Sequence, residues 1–303
     1  MKPLLVVIGG PTGIGKTPVS IALAQHFKTE IVSADSRQFF KEMTIGTAVP
    51  SPSDLAKVKH HLVQNLSIDE AYNASRYESD ALACLDGIFK QNNIAFLVGG
   101  SGLYIDAICK GIDDLPSISA EVRQKLNCFF EIEGLERLQE EVNRIDPEYF
   151  EVVDKNNPKR LLKALEVFEM TGLPYSRFLL RTSKERSFHV INLFLDTNRT
   201  VLYNRINQRV DKMVQAGLVE EARSLWPKKG LTPLKTVGYS ELFSYFEGNL
   251  KLEEAIEQIK NHSRAYARRQ LTWFRRYSES HWFDPVQLEE VKALIQSNIE
   301  FRN

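Results

Sequence analysis

Gly10-Pro11-Thr12-Gly13-Ile14-Gly15-Lys16-Thr17 decides the fold class of this chain. The stretch fits the phosphate-loop pattern of a glycine, four residues, then Gly-Lys-Ser/Thr. Its flanks fit as well. Leu4 to Ile8 reads as a buried strand, and Pro18 to His26 reads as a helix. Strand, glycine loop and helix in that order make a concave anion site from successive backbone N–H groups. The helix N-terminus adds the positive end of its dipole. Lys16 is placed to reach terminal phosphates, and the Thr17 hydroxyl to bind Mg²⁺. The motif predicts that the chain binds a diphosphate or triphosphate. It leaves open which one, and what is done with it.

Working outward, Glu30 to Ala34 predicts a second strand, ending at Asp35-Ser36. Ser75 to Gln91 predicts a helix, and Asn93 to Val98 a third strand ending in Gly99-Gly100-Ser101-Gly102. Alternating strands and helices predict a parallel sheet with crossover helices. Ligands of such sheets bind at the carboxyl ends of the strands, so the three turns are expected to converge. The pattern changes near Asp113-Asp114-Leu115-Pro116-Ser117. From Ala120 to Thr171 the chain is helical and charged, with no strand signal. Phe188 to Leu195 is another buried strand, and helices dominate from Arg199 onward. The expected fold is α/β: a P-loop NTPase-like parallel-sheet core at 1–112 plus 188–303, with a helical insertion domain at 113–187 and a helical C-terminal region.

The chain of 303 residues is 43% hydrophobic, enough for a substantial core. Its 39 Lys and Arg balance 39 Asp and Glu, so any basic surface must be local. Cys84, Cys109 and Cys128 form no CxxC and no zinc spacing, which predicts reduced thiols in a cytoplasmic protein. The apolar start runs directly into the phosphate loop, so it is read as a strand and not as a signal peptide. No apolar stretch is long enough to span a bilayer.

Other residues are candidates for chemistry. Asp35, at the end of the second strand, can act as a general base or hold Mg²⁺ through water; a turn or capping aspartate is the plainer alternative. The glycine turn at 99–102 lacks the acid that many phosphate-loop ATPases carry there, which weakens a plain ATPase reading. Its glycines permit a close approach, or simply a tight turn. Lys155 to Met170 reads as a helix with Pro158 in its first turn, and Lys159, Arg160 and Lys163 make a basic patch on it. From Gln258 to Ser278 there is no acid. Lys260, Arg264 and Arg268 share one helical face, and Arg269, Arg275 and Arg276 follow, interleaved with Tyr266, Trp273, Phe274 and Tyr277. Arginine supplies phosphate contacts and aromatics supply stacking, the combination that binds single-stranded RNA; the aromatics could equally be core. His60-His61, read as adjacent on a helix, would point about 100° apart and make a poor metal site.

Taken together, these segments resemble the tRNA dimethylallyltransferases, adenosine prenyltransferases of the anticodon loop. The matching stretches are the phosphate loop, Asp35-Ser-Arg-Gln38, Ile45-Gly-Thr-Ala48, Val98-Gly-Gly-Ser-Gly-Leu-Tyr104, Asn157-Pro-Lys-Arg160 with Leu165-Glu-Val167, Arg209-Val-Asp-Lys-Met213, Val237-Gly-Tyr239 and Arg268-Arg-Gln-Leu-Thr-Trp-Phe-Arg275. They stand in family order across nearly the whole chain. The resemblance implies that Gly10 to Thr17 hold the diphosphate of dimethylallyl diphosphate, with Mg²⁺ on Thr17. It implies that Lys16 and Arg209 face the diphosphate and that Asp35 takes the proton of the attacking adenine amine. Ser101 stands where the family usually has threonine. Implied tRNA contacts are Asp35, Ser36, Arg37, Gln38, Ser101, Arg123, Lys159, Arg160, Lys163, Lys235, Gly238, Tyr239, Arg268, Arg269 and Arg275. The implied partners are a tRNA anticodon stem-loop and dimethylallyl diphosphate, with no membrane, and a monomer is expected.

The chain departs from the family pattern at Thr44 and Val49, where an acid and a lysine are usual, and at Lys159 and Lys163. Phe39-Phe40 replaces an aliphatic–tyrosine pair. These departures bear on affinity and tRNA range rather than on reaction class. Two alternative activities remain at this stage. One is a phosphate-loop kinase of a small metabolite; the other is an adenylate prenyltransferase acting on free nucleotide.

Overall fold

The structure, a computed structural model, describes residues 2–113, 115–179 and 183–300. Asp114 of the expected domain boundary lies outside the described residues. The elements in chain order are β1 (Leu4–Gly9), α1 (Lys16–His26), β2 (Ile31–Ser33), α2 (Pro52–Leu55), β3 (His60–His61), α3 (Ala74–Phe89), β4 (Ile94–Gly99) and α4 (Gly102–Cys109). Then follow α5 (Ala120–Ile145), α6 (Pro147–Val152), α7 (Pro158–Thr171), β5 (His189–Leu195), α8 (Arg199–Gln215), α9 (Leu218–Leu225), α10 (Tyr239–Phe246), α11 (Leu252–Phe274), β6 (His281–Phe283) and α12 (Leu288–Glu300). The chain divides into two compact units, Met1–Lys110 with Glu185–Asn303, and Gly111–Lys184.

The first unit is an α/β layer structure on one sheet, ordered β3-β2-β4-β1-β5-β6 and parallel throughout. β1 lies between β4 and β5, with Leu4 opposite Ile94 on one side and His189 on the other. Every residue of β1 is buried, which explains its continuous apolar run: a central parallel strand is covered on both faces. Leu4, Val6, Ile8, Leu23, Phe96 and Leu193 form the centre of the core. The order places the carboxyl ends of β1, β2 and β4 side by side, and the polar turns after them therefore share one edge of the sheet.

The second unit is helical. Leu138, Val142, Leu161, Ala164 and Leu165 build a core between α5 and α7. Gly134, at φ 79°, breaks α5 into two helical stretches. Buried Asp146 caps α6 through the Tyr149 N–H (3.1 Å) and accepts a second bond from the Ser176 N–H (2.7 Å). α7 starts later than its sequence predicts: Asn157 is the N-cap and Pro158 the first residue. Proline has no N–H to leave unpaired there.

Two strands escape the sequence reading. His60-His61 is not helical but forms an edge strand beside Ile31 and Val32. His61 Nε2 bonds Glu30 Oε2 at 2.5 Å, and His60 Nδ1 faces the Val58 carbonyl at 2.8 Å. β6 closes the other edge against β5. Segments of two and three residues are too short for a period-2 pattern to register.

Candidate active site

The phosphate loop joins β1 to α1, and its conformation needs its glycines. Gly15 is the N-cap of α1 at φ 107°, a left-handed value costly for residues with a Cβ. Lys16 begins the helix and folds its ammonium back into the loop, donating to the carbonyls of Gly10 and Pro11, each at 2.9 Å. Burial pulls its pKa down to about 8, opposed by the Asp35 carboxylate and reinforced by the Arg209 guanidinium. Arg209 arrives from α8 and bonds the Thr12 hydroxyl through Nη2. Its Nε is buried without a hydrogen-bond partner. Burial lowers its pKa too, again opposed by Asp35. Two desolvated cations beside a ring of backbone N–H groups form a site in want of an anion.

A cavity of about 410 Å³ opens beside this loop and is lined by Thr12, Asp35, Arg37, Ser101, Arg209 and Arg269, among others. Asp35 holds its turn by accepting the Arg37 N–H on Oδ1 at 3.1 Å. Ser101 Oγ accepts the Ser36 N–H (3.0 Å) and contacts Ser36 Oγ (3.1 Å), tying the turn after β4 to the turn after β2. Much of the remaining lining is apolar: Leu103, Val210, Met213, Leu218, Val237 and Ile259. Tyr266 and Trp273 from α11 also line the cavity. Trp273 is fixed by Nε1–H donation to Asp106 (3.1 Å) and by Arg276 stacked 3.8 Å over its ring. Of the other two aromatics of the segment, Phe274 is fully buried core and Tyr277 is half-buried, and Phe194 packs against both.

The glycine turn after β4 has a different reason from a close approach of substrate. A Cβ on Gly99 would lie 2.1 Å from the Ala34 carbonyl oxygen, one on Gly100 2.3 Å from Gln270 Nε2, and one on Gly102 2.1 Å from Trp273. The turn is glycine-rich because the protein packs against itself there. Gln270 is the residue that sequence reasoning passed over. Buried, it accepts the Thr12 N–H (2.8 Å) and donates to the Gly100 carbonyl (2.8 Å), joining the phosphate loop to the β4 turn. Its signal was available: it is the one amide side chain inside the Arg268–Arg275 stretch.

Within the structure the basic stripe of α11 has partners on α8. Lys260 pairs with Asp211 (2.6 Å), Arg264 donates to Asn207 (2.6 Å) and Arg268 donates to the Tyr203 hydroxyl (3.1 Å). Both sets advance four residues at a time, in opposite directions along α11 and α8. The stripe is an interhelical ladder, with Lys260 and Arg264 largely buried in it. Arg269, on another face of α11, reaches the cavity. Arg275 is exposed, 3.8 Å from Asp196.

Other residues named from sequence are dispersed. Gln38 spends its amide on the Thr47 (3.1 Å) and Ala48 (2.9 Å) carbonyls, so it shapes a loop. Tyr239 is fully buried and offers RNA no surface in this conformation; Gly238 beside it lines the cavity. Lys235 is exposed at a neighbouring groove with Arg37 and Arg269. In the second unit, Lys159, Arg160 and Lys163 line one pocket with Tyr149 and Tyr175. Burial lowers the Lys163 pKa, with Glu166 opposing and Arg123 adding to the effect.

A family model described as IPP transferase matches residues 38–277. The chain belongs to the IPP transferase family. A tRNA dimethylallyltransferase of Flavobacterium johnsoniae is 51% identical over 290 residues, 94% of each chain. One from Bacteroides fragilis is 46% identical over 296 residues, 98% of each. The full-length tRNA isopentenylpyrophosphate transferase of Bacillus halodurans has a similar structure, with TM-score 0.73 and 34% identity over 99% of this chain and 97% of that one. A eukaryotic dimethylallyltransferase acting on tRNA shares the fold, at TM-score 0.77 and 23% identity over 95% of this chain and 75% of that one. Membership identifies the chain as a prenyl-transferring enzyme with an α/β P-loop-like fold and removes the kinase and free-nucleotide alternatives. Among the described residues no helix is long and apolar enough to cross a membrane.

Proposed function

We propose that the chain transfers a dimethylallyl group from dimethylallyl diphosphate to N6 of the adenosine 3′ of the anticodon in tRNA, releasing diphosphate. The observation that carries this reading is the join of two unlike surfaces. A cationic phosphate loop opens directly onto an apolar wall of Leu103, Val210, Met213 and Leu218. A nucleotide would waste that wall; a prenyl chain fills it. As the allylic carbon–oxygen bond breaks, negative charge gathers on the diphosphate. Lys16, Arg209 and the loop amides of Gly13, Gly15, Lys16 and Thr17 stabilise it. The N6 amine forms the new carbon–nitrogen bond, and Asp35 takes its proton. Ser101 holds the Asp35-Ser36 turn against the base.

The donor set fits Mg²⁺ rather than a metal held by the protein alone. Among the described residues no group of three or more His, Cys, Asp or Glu could cage an ion. The Thr17 hydroxyl is a hard oxygen donor of the kind Mg²⁺ accepts together with substrate phosphates. Bound there, Mg²⁺ would neutralise charge on the leaving diphosphate. Arg37, Lys235, Arg269 and Arg275, with Arg123, Lys159, Arg160 and Lys163 of the second unit, are the proposed RNA contacts. The proposed setting is the cytoplasm. The proposed acting species is a monomer.

The test is direct. Protein, dimethylallyl diphosphate, Mg²⁺ and unmodified tRNA are incubated and the nucleosides analysed by mass spectrometry. A prenylated adenosine in the anticodon loop is expected. Unmodified nucleosides from folded protein would refute the reading.

A further inference from the structure

Glu221, in the first turn of α9, has no part in the sequence reading or in the chemistry above, yet its carboxylate accepts four hydrogen bonds beside the cavity. Oε2 accepts the N–H groups of Thr44 (3.0 Å) and Ile45 (2.7 Å). Oε1 accepts the Gly46 N–H (2.9 Å) and the Tyr239 hydroxyl (2.7 Å). No Lys or Arg pairs with Glu221 among the described residues. Three successive backbone N–H groups converging on one carboxylate form a nest that balances its charge. Burial, with Glu221 beside it, pushes the Tyr239 phenol well above its ordinary pKa, so the hydroxyl stays a donor.

The two segments that Glu221 joins each carry a stretch of the cavity wall. Gly46 and Thr47 come from one; Thr236, Val237 and Gly238 come from the other. Their fit is close: a Cβ on Gly46 would lie 2.7 Å from the Tyr239 ring. Among the described residues no hydrogen bond or ion pair runs from Glu221 to the phosphate loop. Both segments belong to stretches that resemble the family's motifs, but the residue that registers them against each other lies outside every one of those stretches.

We propose that Glu221 is a positioning residue for the acceptor side of the cavity. It sets the register of the 44–47 loop against the 236–239 segment, and so governs RNA affinity while leaving the diphosphate site alone. The proposal rests on the reading that this cavity receives a tRNA adenosine.

Steady-state kinetics of Glu221→Gln, Glu221→Asp and Tyr239→Phe test it, with KM for tRNA and Kd for dimethylallyl diphosphate measured separately. The amide keeps the volume of Glu221 but turns one acceptor oxygen into a donor facing N–H groups. Its KM for tRNA is expected to rise about tenfold or more. Tyr239→Phe removes one bond of four and is expected to raise it about threefold, with Glu221→Asp between the two. The Kd for dimethylallyl diphosphate is expected to stay within about twofold of wild type throughout. Unchanged tRNA KM in folded Glu221→Gln overturns the proposal. So does an equal loss of affinity for both substrates, the mark of a general structural role. If Glu221→Gln does not fold, unchanged tRNA KM in both other variants overturns it. These outcomes require a wild-type enzyme that prenylates tRNA; a wild type that does not would refute the functional reading instead.

Discussion

Lys16 yields a prediction with two opposite signs. Its pKa is held at about 8 instead of 10.5 in the ligand-free fold, a difference equivalent to about 3 kcal/mol against the charged form. The cause is burial, and a bound diphosphate would remove that cause by pairing with the ammonium. Binding therefore selects protonated Lys16. From pH 7 to about 8 the affinity for dimethylallyl diphosphate should be flat, because Lys16 is charged and the second phosphate ionisation, near 6, is complete. Above about 8 the free protein loses the proton, and Kd should rise toward tenfold per pH unit, reaching about tenfold by pH 9. Stability should move the other way. Between about 8 and 10.5 the unfolded chain binds the Lys16 proton and the folded chain does not. The folded state therefore gains as pH rises through that window. Calorimetric titration without metal, from pH 6.5 to 9.5, measures the first trend; wild-type minus Lys16→Ala urea stability measures the second. Asp35→Asn should move the bend in affinity to lower pH, because the Asp35 carboxylate now holds the Lys16 pKa up. If Lys16→Ala keeps the same bend, or wild type shows none by pH 9.5, the proton is not on Lys16 and the argument fails.

Three further outcomes follow from the same geometry. Asp35→Asn should slow the single-turnover chemical step by about 10²–10⁴ without unfolding the protein, since the amide fits the same space; a near-normal rate would remove Asp35 from the mechanism. Gln270→Ala strands the Thr12 N–H and the Gly100 carbonyl and should cost about 2–4 kcal/mol in urea denaturation, whereas an unchanged midpoint would mean that the clamp is not made. Arg269→Ala should lower the salt slope of anticodon stem-loop binding by about one, while Arg264→Ala should leave the slope alone and lose about 1 kcal/mol of stability. The reverse pattern would return the ladder on α11 to the RNA.

Sequence alone determined what is local. The phosphate loop is legible because its geometry is made by neighbours in the chain: glycines that permit left-handed backbone, a strand before and a helix after. The buried strands β1, β4 and β5 are legible because a central parallel strand must be apolar on both faces. Asp35 could be named because ligands of a parallel sheet bind at its strand ends, whereas Ser101 was implied only by the family resemblance. Tertiary structure decided what each helix face meets. The four-residue spacing of Lys260, Arg264 and Arg268 says that they share a face; it does not distinguish a phosphate backbone from another helix, since either satisfies the same cations. The answer, Asp211, Asn207 and Tyr203, lies about fifty to sixty-five residues away in the chain. The same limit hid Gln270 and Glu221. Each is an ordinary polar residue on a helix, and each matters through hydrogen bonds to segments 170 or more residues distant, at Gly100 and at Gly46. Glycines at 99, 100 and 102 were visible as a turn, but the atoms that exclude a side chain there belong to Ala34, Gln270 and Trp273, which only folding brings to them.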